Sequence, residues 1–143
     1  MSKVDLAVSC FKQGFACSQA VFVTYAPELG LDRETALKVA GAFGGGISRT
    51  GEVCGAVSGA LMALGLKYAS AGSDEKEKQK IYAVAGEFIN RFKDRYDTII
   101  CRELLQCDLG TPEGQKYSRE HKLTATVCPS FIQYAAQIIE QLM

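Results

Sequence analysis

GGGISRTGEVCGAVSGALMALGLK, residues 44–67, decides the fold. A glycine-rich loop runs straight into an apolar segment, and Cys54 sits where the two meet. Small residues recur at helical steps, with Gly55, Gly59 and the alanines at 56, 60 and 63, which predicts a helix over roughly Glu52 to Tyr68. Gly55 and Gly59 fall on one side of it and permit very close packing. A glycine inside a helix costs about 1 kcal/mol relative to alanine. Either tight helix packing or room for a cofactor beside Cys54 must offset that cost. The nearly uncharged run Val53 to Leu66 is far short of the ~20 residues a membrane span needs, so it reads as a buried helix.

On the N-terminal side, Val4, Ala7, Val8, Phe11, Phe15, Ser18 and Phe22 follow three- and four-residue steps. They predict one helix from Lys3 to Tyr25, ended by Pro27. Cys10 and Cys17 would share a face of it, roughly 10 Å apart along the axis and too far for a disulfide. Asp32 is placed to cap a second helix, Arg33 to about Phe43, which Gly44, Gly45 and Gly46 stop. On the C-terminal side, Ser70 to Ser73 is a linker and Asp74 caps a helix running to about Tyr96. Ile81, Val84, Phe88, Phe92 and Tyr96 are its buried stripe. Thr98 caps a short helix, Ile99 to Gln106. Thr111-Pro112-Glu113 starts a polar peripheral segment, and Val127-Cys128-Pro129 opens a last helix to about Leu142. No strand-like alternation persists. The expected fold is all-α: a single-domain helical bundle over residues 1–143, with four main helices plus short ones.

Composition narrows the function. A 48% hydrophobic, 22% charged chain with a formal net charge of zero is an ordinary globular protein without a basic face for nucleic acid. The opening MSKVDLAVSCFKQG has no long apolar core and no small-residue cleavage site, so no signal peptide and a reducing, cytoplasmic compartment are expected. In such a compartment six cysteines are more often metal ligands, redox groups or buried hydrophobes than disulfides.

Cys54, Cys101 and Cys128 fall at predicted helix starts, whose partial positive charge and free N–H groups favour a thiolate. Cys17, read as mid-helix, can face the same centre. Four cysteines from different helices would suit an iron–sulfur cluster, a metal ion or a pair of reversible disulfides. The chain has no Cys-x-x-Cys, and its one histidine, His121, lies in a polar segment and reads as solvent-facing. The loop GGGISRTG lacks the lysine of a P-loop, although the Gly45 and Gly46 amides can cradle a group beside Gly55. Arg49 reads as a surface arginine.

The run GGGISRTGEVCGAVSGALMALGL, with Ala16-Cys17-Ser18-Gln19-Ala20-Val21 before it and Cys101-Arg102-Glu103-Leu104-Leu105 and Cys128 after it, resembles the C_GCAxxG_C_C family. These are small proteins to which a redox role is ascribed, and the resemblance covers nearly the whole chain. It implies that Cys17, Cys54, Cys101 and Cys128 are the redox-active or metal-ligating set, and that Cys10 and Cys107 are additions of this sequence. It implies no settled reaction or substrate. A related region in split-Soret cytochromes points to an iron–sulfur cluster as cofactor; no haem-attachment motif is present here. Three uses of the cysteines follow: a cluster or other metal for electron transfer or sensing, a metal-free thiol–disulfide protein, or a metal- or ligand-binding module without turnover. A redox partner is implied but not identified, and the small-residue face around Gly55 and Gly59 suits a homodimer or internal packing equally.

Overall fold

Nine α-helices and one 3-10 turn make up the computed structural model, which describes residues 1–143. In order they are α1 (Lys3–Lys12), α2 (Cys17–Tyr25), the 3-10 turn Pro27–Leu29, α3 (Arg33–Val39), α4 (Gly55–Tyr68), α5 (Glu75–Tyr96), α6 (Cys101–Leu105), α7 (Pro112–His121), α8 (Leu123–Thr126) and α9 (Cys128–Leu142). The fold is all-α, as the sequence predicts. Its only extended pairing is an isolated antiparallel bridge between Val53 and Ile100. No helix is long and apolar enough to cross a membrane.

Residues 3–25 are not one helix. Gly14 takes a φ of +107°, a left-handed conformation that breaks the ladder between α1 and α2. Apolar periodicity continues across the break because both helices bury a face in the same core. The break moves Cys17 from a predicted mid-helix position to the first residue of α2. Other boundaries also shift: α3 ends at Val39, before Gly41; α4 begins at Gly55, so that Cys54 is its N-cap residue; and α6 is Cys101–Leu105 with Ile100 as its N-cap, while the Thr98 hydroxyl accepts from Ile100 N–H at 3.0 Å just outside the helix.

Elsewhere local chemistry sets the ends. The Asp32 carboxylate accepts from Thr35 N–H at 3.0 Å, and Asp74 accepts from Lys76 N–H at 2.9 Å. Glu75 and Glu77 at the start of α5, with Lys93 and Arg95 at its end, complement the helix dipole. The α5 stripe is core: Phe88 and Phe92 are fully buried. Phe92 lies 5.0 Å from Tyr96, ring centre to ring centre, and Tyr96 meets Phe131 of α9 edge-on at 5.0 Å.

The core is a single cluster of 27 buried residues. The small face of α4 is used against α2. A Cβ on Gly59 would lie 2.5 Å from the Ser18 carbonyl oxygen, so only glycine allows this approach. Ser18, fully buried on the same seam, donates to the Ala40 carbonyl at 2.8 Å and ties α3 to α2. Helix α4 then packs on α5 and α9, and α1 covers α2 and α9. This arrangement directs the starts of α2, α4, α6 and α9 towards one end of the bundle.

Candidate functional site

Cys17, Cys101 and Cys128 are the first residues of α2, α6 and α9, and Cys54 caps α4. Main-chain pairing fixes two of them to each other. Cys54 N–H donates to Ile99 O at 2.8 Å, and Cys101 N–H donates to Glu52 O at 2.6 Å, on either side of the Val53–Ile100 bridge. Arg102 adds a hydrogen bond to Gly51 O and an ion pair to Glu52, both at 3.1 Å.

The glycine loop seats both on α2. Added Cβ atoms show why glycine is required: at Gly44 one would lie 2.8 Å from Ala16 Cβ, and at Gly46 2.6 Å from Cys101 Cβ. A Cβ on Gly55 would overlap the Cys17 sulfur. Gly55 therefore provides both tight packing and the space that the Cys17 thiol occupies.

From Gly45 to Arg49 every residue has positive φ: 68°, 72°, 63°, 54° and 59°. This is a turn of left-handed helix, which costs roughly 1–2 kcal/mol per non-glycine residue. Hydrogen bonds hold it: Arg49 N–H to Gly44 O at 3.0 Å, Glu52 N–H to Gly46 O at 2.9 Å, and the Thr50 hydroxyl to Gly46 O at 2.8 Å. The sequence identifies a glycine-rich loop here, but nothing in Ile47-Ser48-Arg49 signals the left-handed turn.

These elements form a half-open cavity of about 760 Å³ lined by Cys17, Cys54, Cys101 and Cys128, by Gly45, Gly46 and Gly55, and by an apolar wall that includes Phe11, Phe15, Leu105 and Phe131. All the cysteines are free thiols. The two that the resemblance leaves out are also outside the cavity. Cys10 is buried in the core near Arg33, and the Cys107 thiol donates to Gly114 O at 3.0 Å. His121 is exposed and stacks on Tyr117 with ring centres 3.9 Å apart, away from the thiols.

The electrostatics differ from the sequence expectation. Main-chain N–H groups of Gly45, Ser18 and Gly55 act on the Cys17 sulfur and those of Ala56 and Val57 on Cys54, and all favour thiolate, as helix starts should. Burial outweighs them. It pushes Cys17 up, Cys54 well up, Cys101 up to about 11 and Cys128 up to about 12. The negative charge of a Cys17 thiolate adds to the rise at Cys54, Cys101 and Cys128, so the four sites feel one another. Without a counter-charge these are neutral thiols at physiological pH. Nowhere do three His, Cys, Asp or Glu side chains converge tightly enough to hold a single metal ion. The thiols surround a space and do not meet at a point.

No curated protein and no solved structure shows significant similarity to the chain. A family model described as "Putative redox-active protein (C_GCAxxG_C_C)" matches residues 15–142, a span that begins two residues before Cys17 and includes every cysteine of the cavity. The chain belongs to the C_GCAxxG_C_C family.

Proposed function

We propose that the chain is a redox protein whose working site is the thiol-lined cavity, and that Cys17, Cys54, Cys101 and Cys128 hold an iron–sulfur cluster for electron transfer or redox sensing. One observation carries this reading: four free cysteines from four separate helix starts face one cavity, while the other two lie outside it. The spacing of the donors favours a group of several atoms over a lone ion. Such a group, when bound, supplies reversible one-electron chemistry.

The chain's own residues account for the rest. Gly46 and Gly55 keep Cβ atoms out of the space that the Cys101 and Cys17 side chains need. The amides of Gly45, Ser18, Gly55, Ala56 and Val57 donate toward sulfur and so stabilise the more negative state, which raises the potential. The apolar wall excludes water, which acts in the opposite direction. The raised thiol pKa values also bear on the choice between readings. Thiol–disulfide exchange needs a thiolate, and these buried thiols supply little of it near neutral pH. A cationic group removes that penalty, because a coordinated thiol is deprotonated outright. A single redox domain in a reducing compartment, serving an unidentified electron partner, agrees with the six free cysteines.

The test is anaerobic purification followed by a visible spectrum and iron and acid-labile sulfide analysis. Iron and sulfide in comparable amounts, with broad visible absorption that bleaches reversibly on reduction, are expected. Cys→Ser changes at 17, 54, 101 or 128 should each lose them, and changes at Cys10 or Cys107 should not. Protein without iron and sulfide, or a variant lacking all four thiols that still binds both, overturns the reading. In the first case, thiol counts that fall on mild oxidation would assign the site to disulfide exchange.

A further inference from the structure

We propose that the thiol cavity continues into a second chamber that binds the anionic head of a small organic acid or phosphate ester, with Arg49 and Arg119 taking the head and the apolar wall taking the body. The second chamber, about 200 Å³, is lined by Arg49, Leu109, Gln115, Ser118, Arg119 and Thr124. Arg49, Leu109 and Thr124 also line the main cavity, so the two chambers adjoin along these residues.

Three observations define the ligand. The first is charge. Arg49, Arg119 and Lys12 line the joined space and no Asp or Glu does. Neither arginine is ion-paired; the salt bridges of the chain all lie elsewhere. Arg49 and Arg119 are both exposed and line one small chamber, and guanidinium groups suit a carboxylate or phosphate, which they can grip with paired N–H donors.

The second is an unused hydroxyl. Ser118 is only 6% exposed and lines the chamber, and its side chain has no hydrogen-bond partner in the chain. Its hydroxyl is nonetheless not sealed from solvent, because no buried side-chain polar atom is left unsatisfied. A solvent-reached hydroxyl on a nearly buried lining residue, without a partner in the chain, is a ready donor to an anion. Gln115 is held by its amide, which donates to Leu109 O at 2.9 Å.

The third is the strained loop. The left-handed turn that delivers Arg49 to both chambers is conformationally costly and over-determined by hydrogen bonds, as functional loops often are. The main cavity beyond it is lined on one side by Phe11, Phe15, Leu104 and Leu105, which suits an apolar body rather than a bare ion.

Phenylacetate and phenyl phosphate are suitable probes, with phenylacetamide as the neutral control and inorganic phosphate as the headgroup alone. Titrations of the protein as purified, followed by amide chemical shifts, should show saturable changes at Gly45, Arg49, Ser118 and Thr124 with the two organic anions. Phenylacetamide should leave them unmoved, and inorganic phosphate should bind more weakly. Arg49→Asn, which tolerates the left-handed backbone, and Arg119→Gln should each weaken binding about tenfold. Ser118→Ala should weaken it about fivefold. Unchanged shifts in α5 report an intact fold, and iron and sulfide measured on the same samples separate loss of anion binding from loss of the thiols' cargo. Equal binding of phenylacetamide, or parental affinity in the double arginine variant, overturns the anion site. Inorganic phosphate binding as tightly as phenyl phosphate overturns the organic body.

Discussion

Gly55→Ala places a methyl group against the Cys17 sulfur, well inside the 3.0 Å that real Cβ contacts keep. Two main-chain atoms, Phe43 O and Ser18 N, lie at 3.0 Å from the same point. The sulfur ends a side chain and can rotate away; the backbone atoms need to yield by only a few tenths of an ångström. Overpacking costs about 1–3 kcal/mol, and this case belongs near the lower end. Position 55 opens α4, so alanine recovers only part of the ~1 kcal/mol that it gains over glycine inside a helix. The expected net loss is about 1 kcal/mol, or about 3 °C in Tm for a chain of this size. Gly59→Ala meets backbone directly, with Ser18 O at 2.5 Å, and should lose about twice as much. Gly65→Ala on the same helix meets nothing within 4 Å and should stabilise by about 0.5–1 kcal/mol. The assay is urea unfolding of the three variants in metal-free form, with the alkylation rate of Cys17 followed by peptide mapping. Only Gly55→Ala should change that rate. A Gly55→Ala protein as stable as Gly65→Ala, with Cys17 reacting as in the parent, would refute the packing account.

Alkaline pH should destabilise the metal-free protein through its buried thiols. Their raised pKa values make the folded state hold protons that the unfolded chain releases from about pH 8.5. This contribution is complete below that value and fades as pH rises through about 11 for Cys101 and about 12 for Cys128. The urea midpoint should therefore fall more steeply above about pH 9 in the parent than in a variant with serine at 17, 54, 101 and 128; equal slopes would contradict it. Phe92→Ala empties the centre of the α5–α9 aromatic cluster and should cost about 3–5 kcal/mol by calorimetry, with a loss under about 1.5 kcal/mol counting against a close-packed centre. Ile47→Gly removes a β-branched residue from a φ of +63°; the side chain is 39% exposed, so relief of strain should win and raise Tm by a few degrees, and a fall in Tm would show that the turn is not strained.

What was legible in the sequence is what local chemistry controls. Helix α5 could be read from Asp74 to Tyr96 because a cap, a charge gradient and an apolar stripe all lie within it. The four cavity cysteines could be picked out by helix-start placement and motif, although Cys17 was placed mid-helix because periodicity carries through Gly14 and does not report its φ of +107°. Two things were not legible. The Val53–Ile100 bridge joins segments far apart in the chain, and no local pattern encodes it. The thiol electrostatics changed sign because a helix start is a local property while desolvation belongs to the assembled fold. Arg49 reads as a surface arginine in the sequence and is exposed in the structure; what no local pattern shows is that Arg119 and Ser118 line the same hollow once α7 is in place.

The bridge that fixes Cys54 to Cys101 has a consequence for biosynthesis. During translation Cys17 and Cys54 emerge early, but the main-chain bonds at Ile99 and Glu52 form only after residue 101 has left the ribosome, and Cys128 arrives with the last helix. Helices α1 to α5 can collapse before then, leaving the glycine loop without the Ile99–Cys101 segment that pairs with it and one end of the bundle open. The pocket is thus a late product of the chain's own assembly order. Whatever it receives must be delivered to a nearly finished protein, and a truncation between Cys101 and α9 leaves three of the four thiols and a pocket without its last wall.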